Sequence, residues 1–186
     1  MGIAIGLQEA TTVVIGNSVG DGNTQLARRY FNVTRIISVC VFLVIATTIF
    51  LLRHQIPVLF TKDVEVIAFS TSIMYAVSIK HIFDGTQGYL QGVIRGLALQ
   101  KIGAYLAMIA AYPIQIPCAV ILAFKLDFGL VGLWYGEIIG LCCQMIMFFI
   151  LVCTADWEAI TAEAVIRIQK ESENLLNKSG SKPDIN

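Results

Sequence analysis

Charge is what this sequence has least of. Of its 186 residues only 14% are Asp, Glu, Lys or Arg, against 56% apolar ones, and the mean hydropathy is +0.74. Soluble domains carry roughly 25% charged residues, so a water-soluble fold is excluded and an all-α, polytopic membrane protein is expected. Catalytic signatures are missing too. There is no H-E-x-x-H, no G-x-S-x-G and no cofactor motif, which argues against an enzyme and for no bound cofactor or metal. No basic segment follows Met1, so no signal peptide is visible, and the chain reads as a piece of something longer. Cys40, Cys118, Cys142, Cys143 and Cys153 lack the paired spacing of a zinc site, which leaves them as small apolar packing residues. The formal net charge is zero, and nothing in it points to nucleic acid.

What the chain does have is long apolar runs. A hydrocarbon core takes about 20 apolar residues to cross, and five stretches approach that: about 2–19, 36–52, 66–92, 102–124 and 128–152. Buried in lipid, runs of this length must be helices, because every backbone group has to be satisfied internally. The first run is diluted by Gln8, Glu9, Thr11 and Thr12. Residues 1–154 are thus expected to form the transmembrane part. Residues 155–176 follow as an amphipathic interfacial helix, with Trp157, Ile160, Ala164 and Ile168 opposite Glu158, Glu163, Arg167 and Lys170. Residues 177–186 are polar and expected to be disordered.

Basic residues orient the spans. Arg28, Arg29, Arg35, Arg95, Lys101, Arg167, Lys170, Lys178 and Lys182 fall on one side, against Arg53, Lys62 and Lys125 on the other. By the positive-inside rule the C-terminus is cytoplasmic and the N-terminus outside. The sequons at Asn32 and Asn177 should then stay unmodified, and a glycan on either would reverse the orientation.

The most informative residue is Asp84, a carboxylate deep within the third run. An ionisable side chain at membrane depth costs about 2.5–3.5 kcal/mol on insertion scales and usually lines an ion or substrate pathway. Read as a helix, Lys80, Asp84, Gln87, Gly88, Gln91 and Arg95 share one face, flanked by His81. Such a face belongs on a water-filled cavity or a partner helix. Lys80 and Asp84, four residues apart, also read as a simple ion pair within a bundle. On the functional reading Asp84 takes up and releases a proton or a cation. His81, whose side-chain type changes charge near neutral pH, is placed to tune that step, although taken alone it reads as structural.

Glycines supply a second pattern. Gly88, Gly92 and Gly96 repeat every four residues, as do Gly132, Gly136 and Gly140, the spacing that lets membrane helices approach closely. Pro113 and Pro117 should kink or locally unwind the fourth span. Glu9 and Glu137 are further carboxylates that either face Asp84's cavity or sit at span ends, and Trp134 and Tyr135 read as interface anchors.

Three ordered blocks carry a family resemblance. They are Ile15 to Gly22 with Ala27 and Arg28; His81 to Gly88 with Gly92, Arg95, Gly96, Gln100 and Lys101; and Pro117 with Gly129, Gly132, Leu133, Trp134 and Gln144. Together they resemble the region from the eighth to the twelfth helix of eukaryotic multidrug and toxin extrusion (MATE) transporters, over nearly all of residues 2–165. The resemblance implies cation-coupled antiport, driven by H+ or Na+, that exports organic cations or other small molecules. It implies that Asp84, at the position of the acidic residue of the tenth helix, is the coupling site, with an aspartate as in plant-type members. Gln87 and Arg95 match motif positions, whereas Glu9 and Glu137 fall where the family is small or apolar. Family members have about twelve helices in two lobes that alternate access around a central cleft. This chain corresponds to the last five. The expected partners are therefore membrane lipid, the small-molecule substrate, and the first lobe with the seventh helix that supplies a partner carboxylate, in a plasma, vacuolar or other endomembrane. The alternative is a non-transporting membrane subunit or scaffold remnant that packs within a larger complex.

Overall fold

The computed structural model describes residues 2–180 and side chains through Leu176. The chain is helical almost throughout: α1 (Gly2–Gly20), α2 (Thr24–Leu52), α3 (Gln55–Val58), α4 (Val64–Gly96), α5 (Gln100–Ala110), α6 (Ile116–Val120), α7 (Gly129–Thr154) and α8 (Trp157–Gly180). Among the described residues, four stretches are long and apolar enough to cross a membrane: Thr24–Leu52, Val64–Gly96, Gln100–Lys125 and Gly129–Thr154. The expected first span falls outside that group. It is a 19-residue helix, but Gln8, Glu9, Thr11, Thr12 and Asn17 dilute its hydropathy.

Local chemistry sets the helix ends. Gly22, at φ +76°, closes α1, where the Asn23 amide donates to the Ser18 carbonyl at 2.9 Å; only a residue that tolerates the left-handed region fits there. Asn23 then caps α2, its side chain accepting from the Leu26 amide. Asp63 does the same for α4, accepting from Glu65 and Val66. Asn23 lies well outside the apolar run that follows it, so α2 begins twelve residues before the span expected from hydropathy, whereas α4 begins only two residues early. Ala98 ends α4 at φ +58°, an uncommon place for a side chain with a Cβ.

Around Pro113 and Pro117, where a kink or local unwinding is expected, the helix changes type. The helix continues, but Ala111–Gln115 and Ile121–Lys125 are π-helical turns on either side of α6. Widened turns accommodate a missing N–H and the ring's bulk while the helix runs on.

Helix α4 is central, packing against α1, α2 and α7. The buried core gathers at the end where α1 and α4 finish and α2 starts. It comprises Ile15, Val19, Ala27, Tyr89, Leu90, Val93, Ile94 and Leu97 with Phe148, Val152 and Trp157. Trp157 locks α8 to α7 by donating from its indole to the Val152 carbonyl at 2.9 Å. The first half of α8 lies over this core through Trp157, Ile160 and Ala164. Ile168 is half exposed. The backbone of α8 runs on to Gly180, so residues 177–180 are helical where a disordered tail was expected; residues 181–186 lie outside the described part. The cysteines are free, and Cys40 and Cys153 are exposed, so a packing role extends only to Cys118, Cys142 and Cys143.

Candidate functional site

The two glycine series sit where helices touch. A Cβ on Gly92 would meet the Gln8 carbonyl oxygen at 2.5 Å, and one on Gly96 would meet Ile15 Cβ at 2.9 Å. On α7, Gly132 faces the Leu122 and Ala123 backbone, Gly136 faces Ala119 and Gly140 faces Gln115. Gly88 is different: its nearest neighbour across the interface is the Ala4 carbonyl at 3.8 Å. Helices α1 and α4 therefore lie close at Gly96 and Gly92 and diverge towards Gly88.

The divergence opens a cleft of about 730 Å³ between α1, α2 and α4. Lys80, His81, Asp84, Gln87, Gly88 and Gln91 of α4 line one wall, and Ile3, Ile5, Gln8, Phe42 and Ile45 line the others. Its size falls in the range of small-molecule sites, about 300–1,000 Å³. The walls are amphipathic. One is rich in amides and charge, the others mainly aliphatic and aromatic.

Lys80 is the electrostatic centre. Its ammonium donates to Asp84 Oδ2 at 2.9 Å on its own helix and stands 3.3 Å from Glu137 Oε1 on α7. The side chains are 18%, 31% and 34% exposed, so the trio is half-solvated rather than sealed. One cation thus serves two carboxylates, and with Lys80 and both acids charged the group carries a net −1. His81 donates from Nδ1 to the Val77 carbonyl at 2.9 Å, which leaves Nε2 as the nitrogen available to the cleft. From α1 and α2 only Gln8, backbone and apolar side chains line the cleft.

The polar stripe is therefore assembled in one place as far as Gln91, but Arg95 leaves it. Its guanidinium pairs with Glu9 Oε1 at 3.0 Å, with side chains 49% and 55% exposed, and neither residue lines the cleft. The expectation of Glu9 as a cavity residue is corrected accordingly, because Gln8, one position earlier on α1, takes that direction. Glu137 meets the trio through Lys80 without lining the cleft itself. No sequence spacing links Lys80 to Glu137, since they lie on separate helices. The apolar wall, Phe42 and Ile45, gave no signal either, being indistinguishable in sequence from lipid-facing neighbours.

Residues 1–121 match the family described as MatE. Over 181 residues the chain is 33% identical to multidrug and toxin extrusion protein 1 of Danio rerio, covering 94% of this chain and 31% of that protein. It is 30% identical to protein DETOXIFICATION 30 of Arabidopsis thaliana, covering 94% and 36%. The eukaryotic MATE transporter AtDTX14 superposes with a TM-score of 0.84 at 30% identity, over 89% of this chain and 37% of that one. An inward-facing multidrug resistance MATE family transporter shares the fold, with a TM-score of 0.75 at 20% identity. The chain spans about a third of the length of the curated relatives it matches. Sequence match and helix arrangement agree, and the chain belongs to the MatE family of multidrug and toxin extrusion proteins.

Proposed function

We propose that this chain forms the Asp84-bearing part of a cation-coupled antiporter, which exchanges H+ or Na+ for organic cations or other small molecules. The observation that carries this reading is the trio Lys80, Asp84 and Glu137 beside the cleft. Two carboxylates sharing one ammonium leave one negative charge over, and a single proton or monovalent cation completes the balance. Binding of that cation to Asp84 releases Lys80 towards Glu137, so charge state and helix contact between α4 and α7 are linked. An organic cation competes for the same surplus charge while its apolar body lies against Phe42 and Ile45. Exclusion of one cation by the other is the minimum that antiport requires.

In this reading the cleft is one wall of a larger cavity, and the remaining wall comes from helices beyond those described. The end that gathers Arg28, Arg29, Arg35, Arg95 and Lys101 faces the cytoplasm, in a plasma, vacuolar or other endomembrane. No cofactor is required.

The test is Asp84→Asn in a transporter assembled with this segment. Neutralising Asp84 leaves Lys80 and Glu137 as a balanced pair with no surplus charge, so efflux driven by pH or sodium should be lost while expression and membrane insertion persist. Undiminished coupled efflux would overturn the proposal. A second reading, a non-transporting subunit, draws on the same trio as a tie between α4 and α7; it expects efflux of the assembled transporter to be indifferent to Asp84→Asn.

A further inference from the structure

A separate cleft of about 260 Å³ lies at the opposite, core-bearing end, between α2, α7 and the start of α8. It is lined by Arg28, Phe31, Asn32, Val152, Cys153 and Trp157. The Arg28 guanidinium lies 5.5 Å from the centre of the Trp157 ring, and Arg35, on the same face of α2, lies over Phe31 at 5.8 Å. Stacking holds Arg28 at the cleft and Arg35 about two turns further along the same face, without consuming their N–H donors. Among the described residues neither has a carboxylate within ion-pair distance. Of the two acids adjacent to Trp157, Asp156 is engaged in accepting from the Glu158 and Ala159 amides, and Glu158 lines a different hollow with Asp21 and Asn23. Asn32 donates to the Arg28 carbonyl at 3.2 Å, which leaves its carbonyl oxygen for a ligand hydroxyl.

Depth identifies the ligand. Arg28 lies in the polar first turns of α2, a little over two turns before the uncharged run that begins at Ile36, so the cleft sits at headgroup level. Directly along the same two helices the surface becomes apolar and open: Ile36 is 59% exposed and Ile150 54%. We infer that this cleft binds an anionic phospholipid. Its phosphate sits on Arg28, Arg35 adds positive charge further along the same face of α2, its headgroup hydroxyls meet Asn32, and its acyl chains run over Ile36 and Ile150. Planar guanidinium groups suit a phosphate through paired N–H donors, and basic pockets between membrane helices are a recurrent way of holding anionic headgroups. A free phosphate would use the arginines but gain nothing from the apolar track.

Trp157 lies in the cleft and reports on it. With Trp134→Phe removing the other tryptophan, the detergent-solubilised chain is titrated with dioctanoyl phosphatidylinositol, dioctanoyl phosphatidylcholine and inorganic phosphate. The inositol lipid should change Trp157 emission saturably, with much weaker responses to the other two. Arg28→Gln should weaken that binding about tenfold. Arg29→Gln removes an equal charge from a residue that does not line the cleft, and should change it less than about twofold. Circular dichroism checks that helix content is kept. Should Arg28→Gln unfold, Arg28→Lys keeps the charge but not the fork, and should still weaken binding about threefold. Equal losses in the Arg28 and Arg29 variants mean a diffuse basic surface and overturn the proposal. So does an equal response to phosphatidylcholine or to inorganic phosphate.

Discussion

The two halves of α4 both carry glycine and do opposite things. From Gly92 to Gly96 the helix is pressed against α1, and the flanking Tyr89, Leu90, Val93, Ile94 and Leu97 are buried in the core. From Lys80 to Gly88 it stands away from α1 and holds three groups that an apolar interface would reject: an ammonium, a carboxylate and an imidazole. Glycine occurs in both halves, so glycine alone does not decide. What differs is the partner. Thr11 and Ile15 of α1 fill the space above Gly92 and Gly96, whereas Gly88 meets only a distant carbonyl at Ala4. The fixed end holds the bundle together, and the splayed end leaves polar groups within reach of ligand.

Substituting the glycines gives the largest test of that contrast. In Gly92→Ala the new methyl meets the Gln8 carbonyl oxygen at 2.5 Å and Thr11 Cβ at 2.8 Å, and backbone cannot yield as a side-chain tip does. Overpacking of this kind costs about 1–3 kcal/mol. Gly88→Ala adds the same methyl at ordinary contact distance and should alter stability by less than about 0.5 kcal/mol. Unfolding in detergent, followed by loss of helicity, measures both. Equal penalties would mean that α1 and α4 are no closer at one end than at the other.

How much of this was legible beforehand follows the range of the interaction. Asp84, Lys80, His81, Gln87 and Gln91 share one face by helical arithmetic alone, and they do line one cleft. The same arithmetic put Arg95 with them, and failed because Glu9 on another helix draws it away. Lys80 meeting Glu137 was likewise out of reach, as a pairing between helices leaves no periodic trace. Hydropathy located the apolar middles of the helices but not their ends, which Asn23 and Asp63 set by accepting hydrogen bonds from the first-turn amides. Two prolines announced an irregular helix without choosing between a kink and the π-helical turns that occur.

A smaller effect is expected at the splayed end. Lys80→Met removes the one donor shared by Asp84 and Glu137 and leaves two carboxylates facing each other. Hydrogen bonds to charged groups are worth about 1.5–3 kcal/mol, and the partial exposure of this trio reduces that, so a loss of about 1–2 kcal/mol is expected. Adding Asp84→Asn and Glu137→Gln should recover most of it, because no unpaired charge then remains. Thermal melts of the single and triple variants in detergent decide the matter. A single variant as stable as the parent would mean that water, not Lys80, balances the two acids, and the open half of α4 would be looser than its geometry suggests.

The smallest effect probes the boundary between the halves. Ser38 of α2 is buried and donates to the Gly85 carbonyl of α4 at 2.8 Å, while the Phe42 ring lies so close to Gly85 that no Cβ fits between them. One turn of α2 thus holds α4 at Gly85, where the helix passes from its packed to its open half. Interhelical hydrogen bonds in membranes average about 0.6 kcal/mol, because the carbonyl keeps its own helical partner. Ser38→Ala should therefore destabilise by about that much, and hydrogen exchange at Asp84 to Gln87 should rise while exchange at Val93 to Leu97 stays unchanged. A uniform rise along α4 would show that the two halves move as one rod, and the distinction between a fixed end and a splayed end would then be one of shape without a difference in mobility.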